Sequence, residues 1–177
     1  VVTLYFVQTQ RFSIQDAEGR YQATFMDVNS KVVNKMKAMK NVEMGETRTL
    51  GTLNQGTYKI TIRTMTESLL KLGRYPELKG KLPEMEKEVV VTDSYLEEVQ
   101  SKAKIGDSIE IDLGDGEESY VIAGILPMQS TADTHSIYVS DKLIERKMPG
   151  ALYSIYFKIN DTQGWNEAGI KSEIDKI

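Results

Sequence analysis

Two alternating runs, Ser108 to Leu113 and Glu118 to Leu126, meet at Gly114-Asp115-Gly116. This tight turn constrains the fold more than any other stretch, because it commits both flanks to one antiparallel hairpin. The chain around it follows the same habit of short apolar runs separated by turn residues. The richest run, Tyr120 to Met128, is far too short to cross a bilayer, which needs about 20 apolar residues. No signal-peptide pattern is present. The expected product is an α+β domain whose elements are individually short.

Before the hairpin, Thr3–Gln8 and Tyr21–Val28 read as strands, with Tyr21, Ala23 and Phe25 alternating against polar neighbours. Asn29-Ser30 offers a helix cap. Val32, Val33, Met36 and Met39 follow at helical spacing, and Asn41 is a stop. Val42–Leu53 and Thr57–Met65 read as strands joined by Asn54-Gln55-Gly56. A short helix over Glu67–Leu72 leads into an irregular segment containing Gly73-Arg74-Tyr75-Pro76, Gly80 and Pro83. Glu88–Val91 has the apolar continuity of a buried strand. Ser94 with Glu97 predicts a capping box for a helix through Ser101 that buries Tyr95, Leu96 and Val99.

After the hairpin, a polar loop reaches Thr134 and Ser136–Val139 is a strand. Ser140 caps a helix carrying Leu143 and Ile144, which Pro149-Gly150 ends. Ala151–Ile159 is a strand with Tyr153, Ile155 and Phe157 on one side. A last helix, capped by Asp161 or Thr162, places Trp165, Ile170, Ile174 and Ile177 on one face. Strand–helix units thus flank a middle of short strands and loops. The expected organisation is one lobe from residues 1–66 plus 148–177, with a second lobe, 67–147, inserted into it.

Composition then narrows function. With 22 basic and 26 acidic residues among 177, the net charge is −4, which steers the chain toward no particular partner. Duplex binding needs a basic stripe. The one candidate, Lys31, Lys35, Lys37 and Lys40, has the spacing of a solvated helix face, so no nucleic-acid partner is expected. The chain has no cysteine, which removes disulfides, thiolate catalysis and Cys-based metal sites.

Catalytic machinery is also missing from the pattern. His135 is the single histidine. In Asp133-Thr134-His135-Ser136 it faces away from Thr134 and Ser136, because strand neighbours alternate. Nucleophilic catalysis and an imidazole metal site both lack their sets. The carboxylates Asp112, Asp115, Glu117 and Glu118 do not follow the twelve-residue calcium pattern, and read as a solvated hairpin tip. Met36 and Met39 read as core. Neither phosphate-binding glycine fingerprint occurs. No catalytic, cofactor-binding or metal residue is assigned, no cofactor is expected, and the chain is read as a non-enzyme.

The middle of the chain carries a recognisable order. Gly73-Arg74-Tyr75-Pro76 is followed by Glu88-Val89-Val90-Val91, a short helix, Ile105-Gly106-Asp107-Ser108-Ile109, and the strand Tyr120-Val121-Ile122-Ala123-Gly124-Ile125-Leu126. In that order the chain resembles the extracytoplasmic periplasmic core domain of MacB/FtsX-type ABC transporter permeases, over nearly its whole length. The resemblance implies a porter-like lobe of strand–helix units (1–66 plus 148–177) and an inserted, strand-rich Sabre-like lobe (67–147). It implies a membrane protein's extracellular domain, tethered to its own transmembrane helices and paired with a second permease copy or paralogue. ATP is hydrolysed by a separate ATP-binding subunit or domain, and the motion serves mechanotransmission and transport of an exported peptide or small molecule. The short middle lacks a segment for docking an outer-membrane partner, so a Gram-positive cell surface is expected. The chain opens Val1-Val2 rather than with methionine and is expected to be a piece of a longer protein. The competing reading is a free-standing extracellular module that binds a peptide or glycan.

Overall fold

In the computed structural model, residues 12–13, 23–38, 42–73, 75–99, 101–127 and 134–159 are described. The expected strand Thr3–Gln8, the loop before Thr134 and the last helix lie outside them. The described chain divides into two compact units, one from 1–47, 67–74 and 152–177, the other from 48–66 and 75–151. Both mix β-strands with short helices, giving the expected α+β class.

In the first unit, β1 (Phe12–Ser13) and β2 (Ala23–Val28) pair antiparallel, and β2 pairs antiparallel with β10 (Tyr153–Ile159). Between Val28↔Tyr153 and Phe25↔Ile155 the ladder slips by one residue. Asp27, at φ +60, takes up that bulge. Aspartate is one of the few side chains that tolerate this left-handed conformation. Helix α1 (Ser30–Met36) starts where expected: Asn29 Oδ1 accepts a hydrogen bond from Val32 N at 3.0 Å. Its Val33 and Met36 join Phe25, Val28, Ile155 and Phe157 in a fully apolar core, while Lys31, Lys35 and Lys37 stay exposed. Helix α2 (Glu67–Leu72) has the predicted bounds.

Strand β3 (Val42–Gln55) is long: residues 42–47 belong to the first unit and 48–55 to the second. It pairs antiparallel with β4 (Tyr58–Arg63). The turn falls one step later than the sequence indicated. Asn54 and Gln55 remain in the ladder opposite Lys59 and Tyr58, leaving Gly56-Thr57 as the connection. Gly56 has φ +59, a left-handed backbone that glycine takes without steric cost.

The second unit orders its strands β3-β4-β9-β6-β8-β5, with β7 also on β8. These are β5 (Lys79–Gly80), β6 (Glu88–Thr92), β7 (Ser108–Asp112), β8 (Glu117–Leu126) and β9 (Thr134–Val139). β4 runs parallel to β9, and β6 parallel to β8 but antiparallel to β9. A strand covered on both faces reads as a continuous apolar run, and Val89, Val90 and Val91 of β6 are all buried. The predicted hairpin is β7–β8, with Gly114 and Gly116 at φ +107 and +101.

Helix α3 (Asp93–Glu98) differs from expectation. Its cap is Thr92, whose Oγ1 accepts from Tyr95 N at 3.2 Å; Ser94 is buried inside the first turn, and the helix stops at Glu98 rather than Ser101. Helix α4 (Asp141–Lys147) is capped by Ser140, as predicted. The core of this unit gathers Ile60, Ile62, Ile111, Ile122, Ile137 and Leu143 around Val89 and Val91.

Candidate functional site

Three short segments of the second unit converge on one cleft. The β3–β4 turn brings Gln55, Gly56 and Tyr58; the end of α3 and its exit bring Tyr95, Val99 and Ser101; and the hairpin brings Ile109, Glu110, Asp112 and Glu117. Each is placed by a local cause described above. The Gly56 turn fixes Tyr58, the Thr92 cap fixes the start of α3 and so Tyr95, and the Gly114–Gly116 turn aligns Asp112 opposite Glu117. The cleft is an open groove with a volume of about 670 Å³.

Its floor is aromatic. His135 stands behind the two tyrosines, edge-on to the Tyr58 ring at 5.2 Å and to the Tyr95 ring at 6.0 Å. Its Nδ1 lies 3.3 Å from Ser94 Oγ, which lies 3.1 Å from Thr92 Oγ1. The histidine that the sequence set aside as a catalyst is thus a buried brace, and this contact explains why Ser94 is not the cap.

The tyrosines are held as neutral phenols. Burial pushes Tyr95 up to about 12, with the Tyr58 phenol adding to it. Burial and then the Glu98 carboxylate raise Tyr58 above its ordinary value. The Tyr58 hydroxyl donates to Gln55 Oε1 at 3.3 Å. Tyr95 is only 1% exposed, and its ring forms the deeper part of the wall.

The rim is acidic. Glu110, Asp112 and Glu117 are the charged side chains lining the cleft, and no basic residue lines it. Asp112 spends one oxygen on the turn, accepting from Gly114 N at 2.7 Å and Gly116 N at 3.1 Å. The other tip carboxylates point to different work. Asp115 pairs with Lys147, and Glu118 pairs with Lys87 at 3.0 Å and accepts from the Tyr120 hydroxyl at 2.8 Å. Sequence reasoning singled out Asp112 and Glu117 only as tip acids and passed over Tyr58, Tyr95 and Glu110. No motif marks them, since the cleft forms from segments about 40 and 15 positions apart along the chain.

A second polar cluster lies elsewhere in this unit. The buried Arg48 side chain donates from Nε and Nη2 to Asp141 Oδ1 at 3.1 and 2.8 Å, and from Nη1 to Glu145 Oε2 at 2.7 Å. It ties β3 to the first turns of α4, and holds the Glu145 carboxyl below its ordinary value. Three or more potential metal ligands do not cluster anywhere among the described residues.

Comparison with known proteins adds to this geometry. The sequence model described as the MacB-like periplasmic core domain matches residues 2–174. No curated protein matches. The fold is similar to the periplasmic region of MacB from Actinobacillus actinomycetemcomitans, with TM-score 0.56 and 15% identity, covering 92% of this chain and 78% of that one. It is similar to a domain of a putative permease protein from Porphyromonas gingivalis, with TM-score 0.59 and 11% identity over 84% and 74%. It is also similar to the extracellular domain of the ABC-type transporter YknZ from Gram-positive bacteria, with TM-score 0.53 and 10% identity over 76% and 74%. The match spans nearly every residue of this sequence, and the chain belongs to the MacB-like periplasmic core domain family, extracytoplasmic domains of ABC transporter permeases.

Proposed function

We propose that this domain is non-catalytic and couples ATP-driven movement of transmembrane helices to the handling or export of a substrate outside the membrane. The observation that carries the reading is the family match over residues 2–174. In support, the sequence has neither phosphate-binding fingerprint, so nucleotide chemistry belongs to a separate ATP-binding subunit or domain. The first unit takes the porter-like role and the second, strand-rich unit the Sabre-like one. The domain works with its own transmembrane helices and a second permease copy or paralogue, and a Gram-positive cell surface belongs to the same proposal.

Two measurements test it. The isolated chain should give no heat of binding with ATP in calorimetry. Replacing it by a short flexible linker in its full-length protein should leave the partner's ATP hydrolysis running while export stops. Micromolar ATP affinity, or export that continues without the domain, overturns the reading.

A further inference from the structure

The loop of residues 83–87, which leads into β6, presents a methionine to α4. We propose that Met85 is an oxidation site whose sulfoxide is captured by the Lys142 ammonium, so that oxidation fastens this loop to the helix.

Three observations carry the proposal. Met85 is 55% exposed, more than any other large apolar side chain among the described residues. Its backbone is nevertheless fixed: the amide donates to Glu88 Oε2 at 3.0 Å, and the carbonyl accepts from the Glu88 amide at 3.1 Å. The fold itself therefore holds the sulfur at the surface. Lys142 Nζ of α4 then donates to that sulfur at 3.7 Å. Beside it, Arg146 Nε pairs with Glu86 at 2.7 Å, so loop and helix already face each other. Met26 and Met148 are also exposed, at 40% and 42%, but among the described residues no ammonium stands on either sulfur. Met36 and Met65 are buried.

A thioether sulfur is a weak acceptor, whereas oxidation makes it polar. An oxygen added to this sulfur and turned toward Nζ comes within about 2.8 Å of it with both residues in place, the length of a charge-assisted hydrogen bond. The oxidant is a hydroperoxide, met on the extracytoplasmic side, away from the reducing cytosol. The sulfur lone pair attacks one peroxide oxygen and the O–O bond breaks. The transferred oxygen passes its proton to the departing one, which leaves as water or an alcohol. Sulfur loses two electrons and the peroxide gains them.

Treating the 177-residue chain with dilute hydrogen peroxide, and mapping sulfoxide by peptide mass spectrometry, tests the site. Met85 should convert ahead of Met36 and Met65. Amide hydrogen exchange should then slow about fivefold in residues 85–88 and in α4 as Met85 converts. Met85→Leu should abolish that slowing, and Met26→Leu with Met148→Leu should keep it. Lys142→Leu should leave Met85 open to peroxide but remove the slowing. The proposal fails if Met85 stays reduced while Met148 is converted. It fails equally if exchange at these amides is unchanged or faster after conversion, or slows as much in Lys142→Leu as in the parent.

Discussion

At the scale of single residues, glycine decides where this chain can turn. Gly106 has φ +93 with open space around it, and its amide donates to the Ile122 carbonyl at 2.9 Å. Any side chain there is strained by conformation alone. Gly80, at φ +89, faces Gly124 across the β5–β8 pair, and a Cβ on it would collide with the Ala123 carbonyl. The two positions therefore separate strain from collision. Gly106→Val should lower stability by about 1 kcal/mol or more. Gly80→Ala should cost about 2 kcal/mol or more, because backbone overlap adds to the strain. Urea unfolding of both variants checks the order; equal melting of Gly106→Val and the parent would refute the turn assignment.

At the scale of elements, the Arg48 cluster is the sharpest test of how α4 is held. Arg48 is buried while Asp141 and Glu145 are mostly exposed, so its pairs are neither fully screened nor fully desolvated. Arg48→Met keeps the volume and removes the fork. It should lower stability by about 1–2 kcal/mol, with Asp141→Asn costing less because Glu145 remains. A double-mutant cycle on Arg48 and Glu145 measures the coupling directly.

Elements also mark what the residues reveal unaided. The β7–β8 hairpin, α2 and the Ser140 cap were legible because each depends on neighbours within a few positions. The α3 cap was not. Ser94 with Glu97 copies a capping box, but Thr92 has the same chemistry two positions earlier, and Ser94 is claimed by His135, 41 positions away. The β3–β4 turn was off by one step because Asn54 and Gly56 are both good turn residues, and only pairing chooses between them. The cleft was invisible for the same reason: Tyr95 looks like core from its helical position, and it lines a cleft only once the segments of the two hairpins stand beside it.

At the scale of the whole molecule, ionisable groups bound the pH range of the fold. Backbone amides of Glu84 and Met85 and the Lys81 ammonium hold the Glu88 carboxylate below its ordinary value of 4.5, and Arg48 does the same for Glu145. Their folded forms bind protons less readily than the unfolded chain, so their contribution is complete above that value and lost as pH falls through the lowered ones. Tyr95 and Tyr120 titrate in the opposite sense. Burial raises both above 10, Tyr95 to about 12, so the folded form keeps the proton longer. Stability is full below 10 and falls as pH rises through the raised values. Thermal unfolding followed across pH should thus decline at both ends. Glu88→Gln should flatten the acid limb and Tyr95→Phe the alkaline one; limbs unmoved by these changes would place the sensitive groups elsewhere.

The parallel pairing of β4 with β9 joins Arg63 to Tyr138 across 75 positions of chain. No local hairpin can substitute for that contact, and the sheet cannot close until residues near 139 are available. Folding dominated by such distant meetings is slow. A polypeptide threaded outward through a narrow pore therefore emerges long before it acquires its shape, and assembly is postponed to the far side, where the last partner strand arrives.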